Sequence, residues 1–128
     1  MLSGVALADN IRGTFGQDDL EGTPQNDRIY GLGAADTLTG KGGNDDCYGG
    51  SGADTISCGP GNDRIDGGFG EDDLSGGNGN DTILAADGQE DQVDCGPGDN
   101  DTAYVDELDV VVDTPLSSCE TVLVAQPI

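Results

Sequence analysis

Four consecutive stretches decide the fold of this chain: GGSGADTIS (49–57), CGPGNDRID (58–66), GGFGEDDLS (67–75) and GGNGNDTIL (76–84). Each has glycines in its first half, an aspartate at its sixth position and an Ile or Leu at its eighth. The same phase extends toward the N-terminus, so aspartate recurs every nine residues without a slip from Asp9 to Asp81. Short repeats of fixed length are typical of solenoids, in which each unit stacks on its neighbours.

Five units precede these four, and two looser units follow them. The preceding units are GVALADNIR (4–12), GTFGQDDLE (13–21), GTPQNDRIY (22–30), GLGAADTLT (31–39) and GKGGNDDCY (40–48). The following units, 85–94 and 95–104, are ten residues long and place Asp91 and Asp101 at the aspartate position. The glycine-rich half predicts a tight turn, because glycine tolerates positive φ angles. The alternating half predicts a very short strand that contributes one side chain to a thin core of Ile and Leu.

A period of 18 residues lies within the period of nine. In alternate units the residue before the aspartate is asparagine, at Asn26, Asn44, Asn62, Asn80 and Asn100. This alternation predicts two units per coil and two sheets. Parallel strands lie about 4.8 Å apart, so we expect Tyr30 to stack over Tyr48. We also expect Arg28, Asp46 and Arg64 to form a solvated ladder of alternating charge. The asparagines are expected to be turn residues or a side-chain ladder rather than metal ligands.

The composition excludes several classes of function. The chain has 128 residues, which suits one domain, and a formal net charge of −22 from 26 acidic and 4 basic residues. Low hydrophobicity with high charge normally predicts disorder, but here the charge is periodic, so a bound cation would relieve it. Nucleic acid is excluded as a partner because the chain has no basic patch. A membrane span is excluded because no run of about 20 apolar residues is present.

Four cysteines in a small acidic chain indicate an oxidising compartment. Four thiols allow three pairings, and proximity in sequence favours Cys47–Cys58 and Cys95–Cys119. Zinc is not predicted, because the chain has no histidine and no C-x-x-C pair.

Two interpretations of residues 1–12 stay open. Ala6, Leu7 and Ala8 form a small-x-small pattern like that of a signal-peptidase site, which would make the segment the remnant of an export signal. Alternatively, the segment is a degenerate first repeat.

The regular repeat stops after residue 104. Strand-like segments at 105–112 and 121–124 flank Pro115. A solenoid needs its last coil covered, so residues 105–128 are predicted to form a cap that Cys119 ties to the last repeat. The predicted organisation is therefore an N-terminal segment 1–12, a roll over 13–104 and this cap.

The units resemble the G-G-x-G-x-D-x-U-x nonapeptide of the RTX family, also called haemolysin-type calcium-binding repeats. The resemblance covers residues 13–104, and the units 49–57, 67–75 and 76–84 match every fixed position. In 58–66 the first glycine is replaced by Cys58. The resemblance implies an all-β fold, a right-handed parallel β-roll of about five coils with two units per coil.

The resemblance also implies several calcium ions, about six to nine, in two columns between the turns. Calcium takes about six to eight oxygen ligands. The aspartates implied for one column are Asp18, Asp36, Asp54, Asp72 and Asp91, and those for the other are Asp27, Asp45, Asp63, Asp81 and Asp101, with Asp9 at its head. The implied backbone carbonyl ligands are those of Gly31, Gly33, Gly40, Gly42, Gly43, Gly49, Gly50, Ser51, Gly52, Gly59, Pro60, Gly61, Gly67, Gly68, Phe69, Gly70, Gly76, Gly77, Asn78 and Gly79.

The predicted function is calcium binding by a secreted or cell-surface roll that folds when its ions bind. The alternative is an adhesin-like or ice-binding protein that uses the roll as a rigid scaffold, with Thr37, Thr39, Thr55 and Ser57 on its flat face. An enzyme is not predicted, because the chain has no histidine and no serine beside a base. The sequence identifies no macromolecular partner.

Overall fold

The computed structural model describes residues 9–98, 100–112 and 119–125. Its thirteen strands are β1 (Asn10–Arg12), β2 (Asp19–Glu21), β3 (Arg28–Tyr30), β4 (Thr37–Thr39), β5 (Asp46–Ser51), β6 (Thr55–Ser57), β7 (Arg64–Phe69), β8 (Asp73–Ser75), β9 (Thr82–Leu84), β10 (Gln92–Asp94), β11 (Thr102–Val105), β12 (Val110–Val111) and β13 (Thr121–Val124). In the part of the chain that is described, no helix is long and apolar enough to span a bilayer.

The strands form two parallel sheets. Sheet A has the order β1-β3-β5-β7-β9-β11-β13, and sheet B has the order β2-β4-β6-β8-β10-β12. Successive strands of a sheet therefore come from alternate units, as the 18-residue period predicted. In the register, Leu38 lies opposite Ile56, 18 residues away. The two ten-residue units lengthen the offset to 19 at Leu74–Val93 and to 20 at Ile83–Ala103. The predicted β-solenoid with two units per coil is confirmed.

The solenoid has about six turns, one more than the sequence predicted. The difference arises at its ends. β1 pairs with β3 and so adds a strand from the first unit. At the other end, β12 pairs with β10 and β13 pairs with β11, so both C-terminal strands extend the sheets in parallel. The export-signal interpretation of the N-terminal segment concerns residues 1–8, which lie outside the described residues, as does Pro115.

The core is a single column of apolar side chains along each sheet. The eighth position is buried in the seven units from 22–30 to 76–84, with 0–1% exposure at Ile29, Leu38, Cys47, Ile56, Ile65, Leu74 and Ile83. In the first two units, Ile11 and Leu20 are only partly buried. This confirms the predicted Ile/Leu core. Both favoured disulfides are present, Cys47–Cys58 and Cys95–Cys119. Cys47 lies in β5 and Cys58 directly follows β6, so the first bridge links the two sheets within the core.

Outward-facing side chains form ladders. The rings of Tyr30 and Tyr48 stack with centroids 5.0 Å apart, as predicted. Arg28 pairs with Asp46 at 3.7 Å in an exposed ion pair, which contributes little to stability. Arg64 differs from the prediction in detail, because its guanidinium donates to the Tyr48 hydroxyl at 3.3 Å.

The asparagine column is a side-chain ladder, which was one of the two predicted roles. The backbone N–H of each asparagine donates to Oδ1 of the asparagine one coil earlier, at 2.7–3.1 Å, and the pairs are Asn44–Asn26, Asn62–Asn44, Asn80–Asn62 and Asn100–Asn80. These side-chain oxygens are therefore engaged within the turns.

Candidate metal centre

Twelve aspartates form two continuous columns along the roll. In each column, the backbone N–H of one aspartate donates to Oδ1 of the aspartate one coil further along, at 2.7–2.9 Å. Column one contains Asp18, Asp36, Asp54, Asp72, Asp91 and Asp109, and column two contains Asp9, Asp27, Asp45, Asp63, Asp81 and Asp101. The structure thus brings together all ten aspartates that the sequence singled out as ligands.

The sequence prediction missed Asp109. Its Oδ1 accepts the Asp91 N–H at 2.9 Å, so it continues column one. A signal was present, because Asp109 lies 18 residues after Asp91 and has an apolar residue, Val111, two positions later. The inserted residues nearby had hidden this phase.

The second oxygen of these carboxylates is the unusual feature. Oδ2 is buried and has no hydrogen-bond partner in seven aspartates of the columns: Asp36, Asp45, Asp54, Asp63, Asp72, Asp81 and Asp91. A buried carboxylate oxygen without a partner is costly. Unsatisfied carboxylate oxygens that lie in register along two columns indicate sites for a cation.

A backbone carbonyl lies close to the partnerless oxygen. A Cβ atom built on Gly49 would lie 2.5 Å from Oδ2 of Asp54 and 2.6 Å from the carbonyl oxygen of Gly67 in the next coil. The same convergence occurs at Gly40, between Asp45 and the Cys58 carbonyl. The first glycine of a unit therefore keeps open a space lined by two acceptors, which fits a hard cation with oxygen ligands.

The turns hold their carbonyls in line from coil to coil. In the six units from 31–39 to 76–84 the second and fourth positions take positive φ, as in Gly50 (98°) and Gly52 (113°). A Cβ on Gly68 would clash with the carbonyl oxygen of Gly50, so these turns stack with no room for a side chain. The third-position carbonyls of Phe69 and Asn78 accept hydrogen bonds from Gly52 and Gly61 at 3.0 Å each.

Burial makes these carboxylates hard to ionise. Desolvation raises the pKa to about 6 at Asp45 and Asp54, to about 7 at Asp72, Asp81 and Asp91, and to about 8 at Asp63. At Asp63 the backbone N–H of Asp45 lowers the pKa, whereas the charges of Asp81 and Asp45 raise it further. The pKa of Asp36 is also raised, mainly by burial. A divalent cation in the column would reverse this balance in favour of the charged form.

Side chains alone do not form an ion cage. Within residues 9–98, 100–112 and 119–125, no group of three or more acidic or cysteine side chains is placed to hold a metal by itself. Backbone carbonyls would have to complete the coordination of any ion in the columns. This is the donor set that the glycine-rich turns offer, and oxygen-only ligation favours calcium over transition metals.

Known proteins show the same pattern. The model of the RTX calcium-binding nonapeptide repeat matches the chain in four copies, at residues 3–33, 12–47, 21–56 and 48–83. The chain belongs to this RTX repeat family. Its repeats are thus calcium-binding repeats of a β-roll, and the family is defined by a structural, ion-binding unit rather than by a catalytic one. A comparison with curated proteins gave no match.

Two RTX turns differ from the others in how their carboxylates are used. The side chains of Asp18 and Asp27 accept hydrogen bonds from their own turns, through Thr14 and Thr23. Thr14 and Thr23 stand where the repeat has its second glycine, and the spacing alone does not predict these bonds. In both turns φ at the second position is negative, and the repeat pattern does not reveal that sign.

Proposed function

We propose that this RTX roll binds several calcium ions in its two columns and that the ions are needed for folding. The observation that carries the proposal is the row of buried Oδ2 atoms without a partner. Five of them lie beside a glycine that leaves space next to them, those of Asp36, Asp45, Asp54, Asp72 and Asp81. A metal-free solenoid would leave these oxygens unsatisfied. Membership of the RTX family supports calcium as the ion.

The ligands we propose are of two kinds. Column aspartates, among them the seven whose Oδ2 has no partner, supply carboxylate oxygens, and the first, second and fourth positions of their turns supply carbonyl oxygens. In the most regular units these are Gly49, Gly50, Gly52, Gly67, Gly68, Gly70, Gly76, Gly77 and Gly79, together with the equivalent positions of the other turns. Bound calcium would supply positive charge between stacked carboxylates. The chain would supply an oxygen-lined space from which side chains are excluded.

The electrostatic cost without ions supports coupling between binding and folding. Two carboxylates about 5 Å apart repel by roughly 3 kcal/mol at an effective dielectric constant near 20. The stability of a small domain is only about 5–15 kcal/mol, so a column of such pairs would consume it. Eight Ca²⁺, for example, would change the formal charge of −22 by +16, to −6. We therefore propose that the calcium-free chain is largely unfolded near neutral pH.

The proposed location is outside the cytoplasm, as a secreted or cell-surface protein. Two disulfides support an oxidising compartment. Extracellular calcium modules bind with dissociation constants of about 10⁻⁴ to 10⁻³ M. At such affinities the roll would stay unfolded in a low-calcium cytosol and would fold outside the cell.

Isothermal titration calorimetry on chelator-treated protein tests the binding directly, with magnesium as the control ion. We expect several calcium ions per chain and no comparable magnesium binding. Absence of calcium binding up to about 10 mM, well above the range of extracellular modules, would reject the proposal.

The adhesin-like or ice-binding alternative gains no support. On sheet B, Thr37 and Thr55 lie side by side, but Asp19 and Asp73 pair with them at either end of the row. A threonine row this short does not form an extended flat face, so calcium binding is the function we propose.

A further inference from the structure

In the first turn of column one, Thr14 hydrogen-bonds to the carboxylate of the same turn, and we call such a turn closed. The backbone N–H of Thr14 donates to Oδ2 of Asp18 at 2.6 Å. The Thr14 hydroxyl lies 3.1 Å from the same oxygen and 3.2 Å from Oδ1. In the next turns of the column, Asp36 and Asp54 have no partner at Oδ2.

The first complete turn of column two does the same. The N–H of Thr23 donates to Oδ2 of Asp27 at 2.6 Å, and its hydroxyl lies 2.9 Å from Oδ1. The following aspartates, Asp45 and Asp63, again have no partner at Oδ2. The two threonines occupy the same position of consecutive units, so one substitution closes the first such turn of each column.

The sign of φ at the second position separates these two turns from the six that follow them. In the units from 31–39 to 76–84 this residue has positive φ, even where it is not glycine, as in Leu32 (81°) and Lys41 (72°). Among the described non-glycine residues, positive φ occurs only at Leu32, Ala34 and Lys41, so Thr14 and Thr23 have negative φ. A β-branched residue strongly disfavours positive φ. The turn then directs its N–H at the carboxylate.

The far end of column one is closed in a related way. Asp109 accepts the Asp91 N–H at Oδ1 and the Asp106 N–H at Oδ2, the latter at 2.8 Å. Both oxygens of the last carboxylate are therefore used within the chain, as at the first. Between these ends lie the aspartates with partnerless oxygens.

We propose that Asp18, Asp27 and Asp109 bind no ion and that their turns are metal-independent ends of the calcium columns. The inference rests on the proposed calcium binding, and it departs from the sequence-based expectation for Asp18 and Asp27. The ion-binding part of column one then runs from Asp36 to Asp91, and that of column two begins at Asp45. In the first turns, hydrogen bonds from Thr14 and Thr23 satisfy the carboxylate oxygens. In the other turns, calcium satisfies them.

Opening and closing a turn by substitution tests the proposal, with bound calcium counted by native mass spectrometry and calorimetry. Thr14→Gly turns unit 13–21 into a full match to the repeat, closely similar to GGFGEDDLS at 67–75. We expect this variant to bind one calcium more than the wild type. Thr14→Val keeps the β-branch and is expected to bind the wild-type number. An unchanged count in Thr14→Gly would overturn the proposal.

The reciprocal substitution is Leu32→Thr, which should close an open turn and remove one bound calcium, whereas Leu32→Gly should bind the wild-type number. A wild-type count in Leu32→Thr would contradict the assigned role of φ.

Carboxylate variants keep the test decisive if a turn variant fails to fold. Asp18→Asn preserves an acceptor for Thr14 and should bind as many ions as the wild type. Asp54→Asn, in the same column, should bind fewer. A lower count in Asp18→Asn would overturn the inference alone. Absence of calcium binding by the wild type would instead reject the proposed function, and the inference with it.

Discussion

The backbone N–H of Asp54 donates to Oδ1 of Asp72, one coil further along, at 2.8 Å. The other oxygen of Asp72 is buried without a partner. Asp72 thus uses one oxygen to hold the neighbouring coil and leaves the other beside Gly67, where a Cβ atom would lie 2.5 Å from it. This division of roles separates the contribution of a column aspartate to folding from its contribution to ion binding.

Asp72→Asn should weaken calcium binding and stabilise the calcium-free roll. An amide keeps an oxygen that accepts the Asp54 N–H. It removes a buried carboxylate, whose pKa is raised to about 7 by burial. We expect fewer bound ions in calorimetry and more β-sheet signal in circular dichroism in chelator near neutral pH, where we propose that the wild-type chain is largely unfolded. Asp73→Asn is the matched control, because Asp73 is the adjacent residue and is exposed. Equal calcium binding by the two variants would contradict the assigned role of Asp72.

The calcium-free roll should be more stable at about pH 5 than at about pH 8. The folded-state pKa values, about 6 to about 8 from Asp45 to Asp91, lie above the ordinary value of 3.8. Protons therefore bind more tightly to the folded chain than to the unfolded one. The resulting stabilisation is complete below about pH 4 and is lost as pH rises through the folded-state values. Circular dichroism in chelator across this range would measure it as a gain of β-sheet signal toward low pH, and β-sheet signal that rises with pH would contradict the account.

Gly49→Ala should abolish or strongly weaken calcium binding at its turn. The new methyl group would lie about 2.5 Å from Oδ2 of Asp54 and 2.6 Å from the Gly67 carbonyl, in the space proposed for the ion. Gly16→Ala is the control, because its nearest neighbour would be the Thr14 hydroxyl oxygen at 3.6 Å. Calorimetry should show fewer ions for the first variant and the wild-type number for the second. Wild-type binding by Gly49→Ala would place the ion elsewhere.

Lys41→Gly should stabilise the calcium-loaded roll by about 1 kcal/mol, because Lys41 has φ of 72° and a left-handed conformation costs a residue with a Cβ about 1–2 kcal/mol. Part of this gain is lost to the greater freedom of glycine in the unfolded chain. Both variants remove the exposed contact of Lys41 with Glu21 at 3.9 Å, but Lys41→Ala keeps the strain. The glycine variant should therefore melt above the alanine variant, and the reverse order would show that the strain is not significant.

The sequence was sufficient to predict the parts of the roll that repeat. A fixed spacing predicts the fold because a slip of one residue would turn Ile65 outward and Asp63 out of its column. The spacing does not show how Thr14 and Asp18 interact, since that depends on one φ angle. It also failed to predict that Asp109 continues column one, because two inserted residues shift the phase between Asp81 and Asp101.

The most direct test of calcium-driven folding is a calcium titration of chelator-treated protein at about pH 7.5, followed by far-ultraviolet circular dichroism with magnesium as the control. We predict a disordered spectrum without ions and a cooperative gain of β-sheet signal with calcium alone, at about 10⁻⁴ to 10⁻³ M. A full β-sheet spectrum in chelator, unchanged by calcium, would contradict the claim that the ions drive folding.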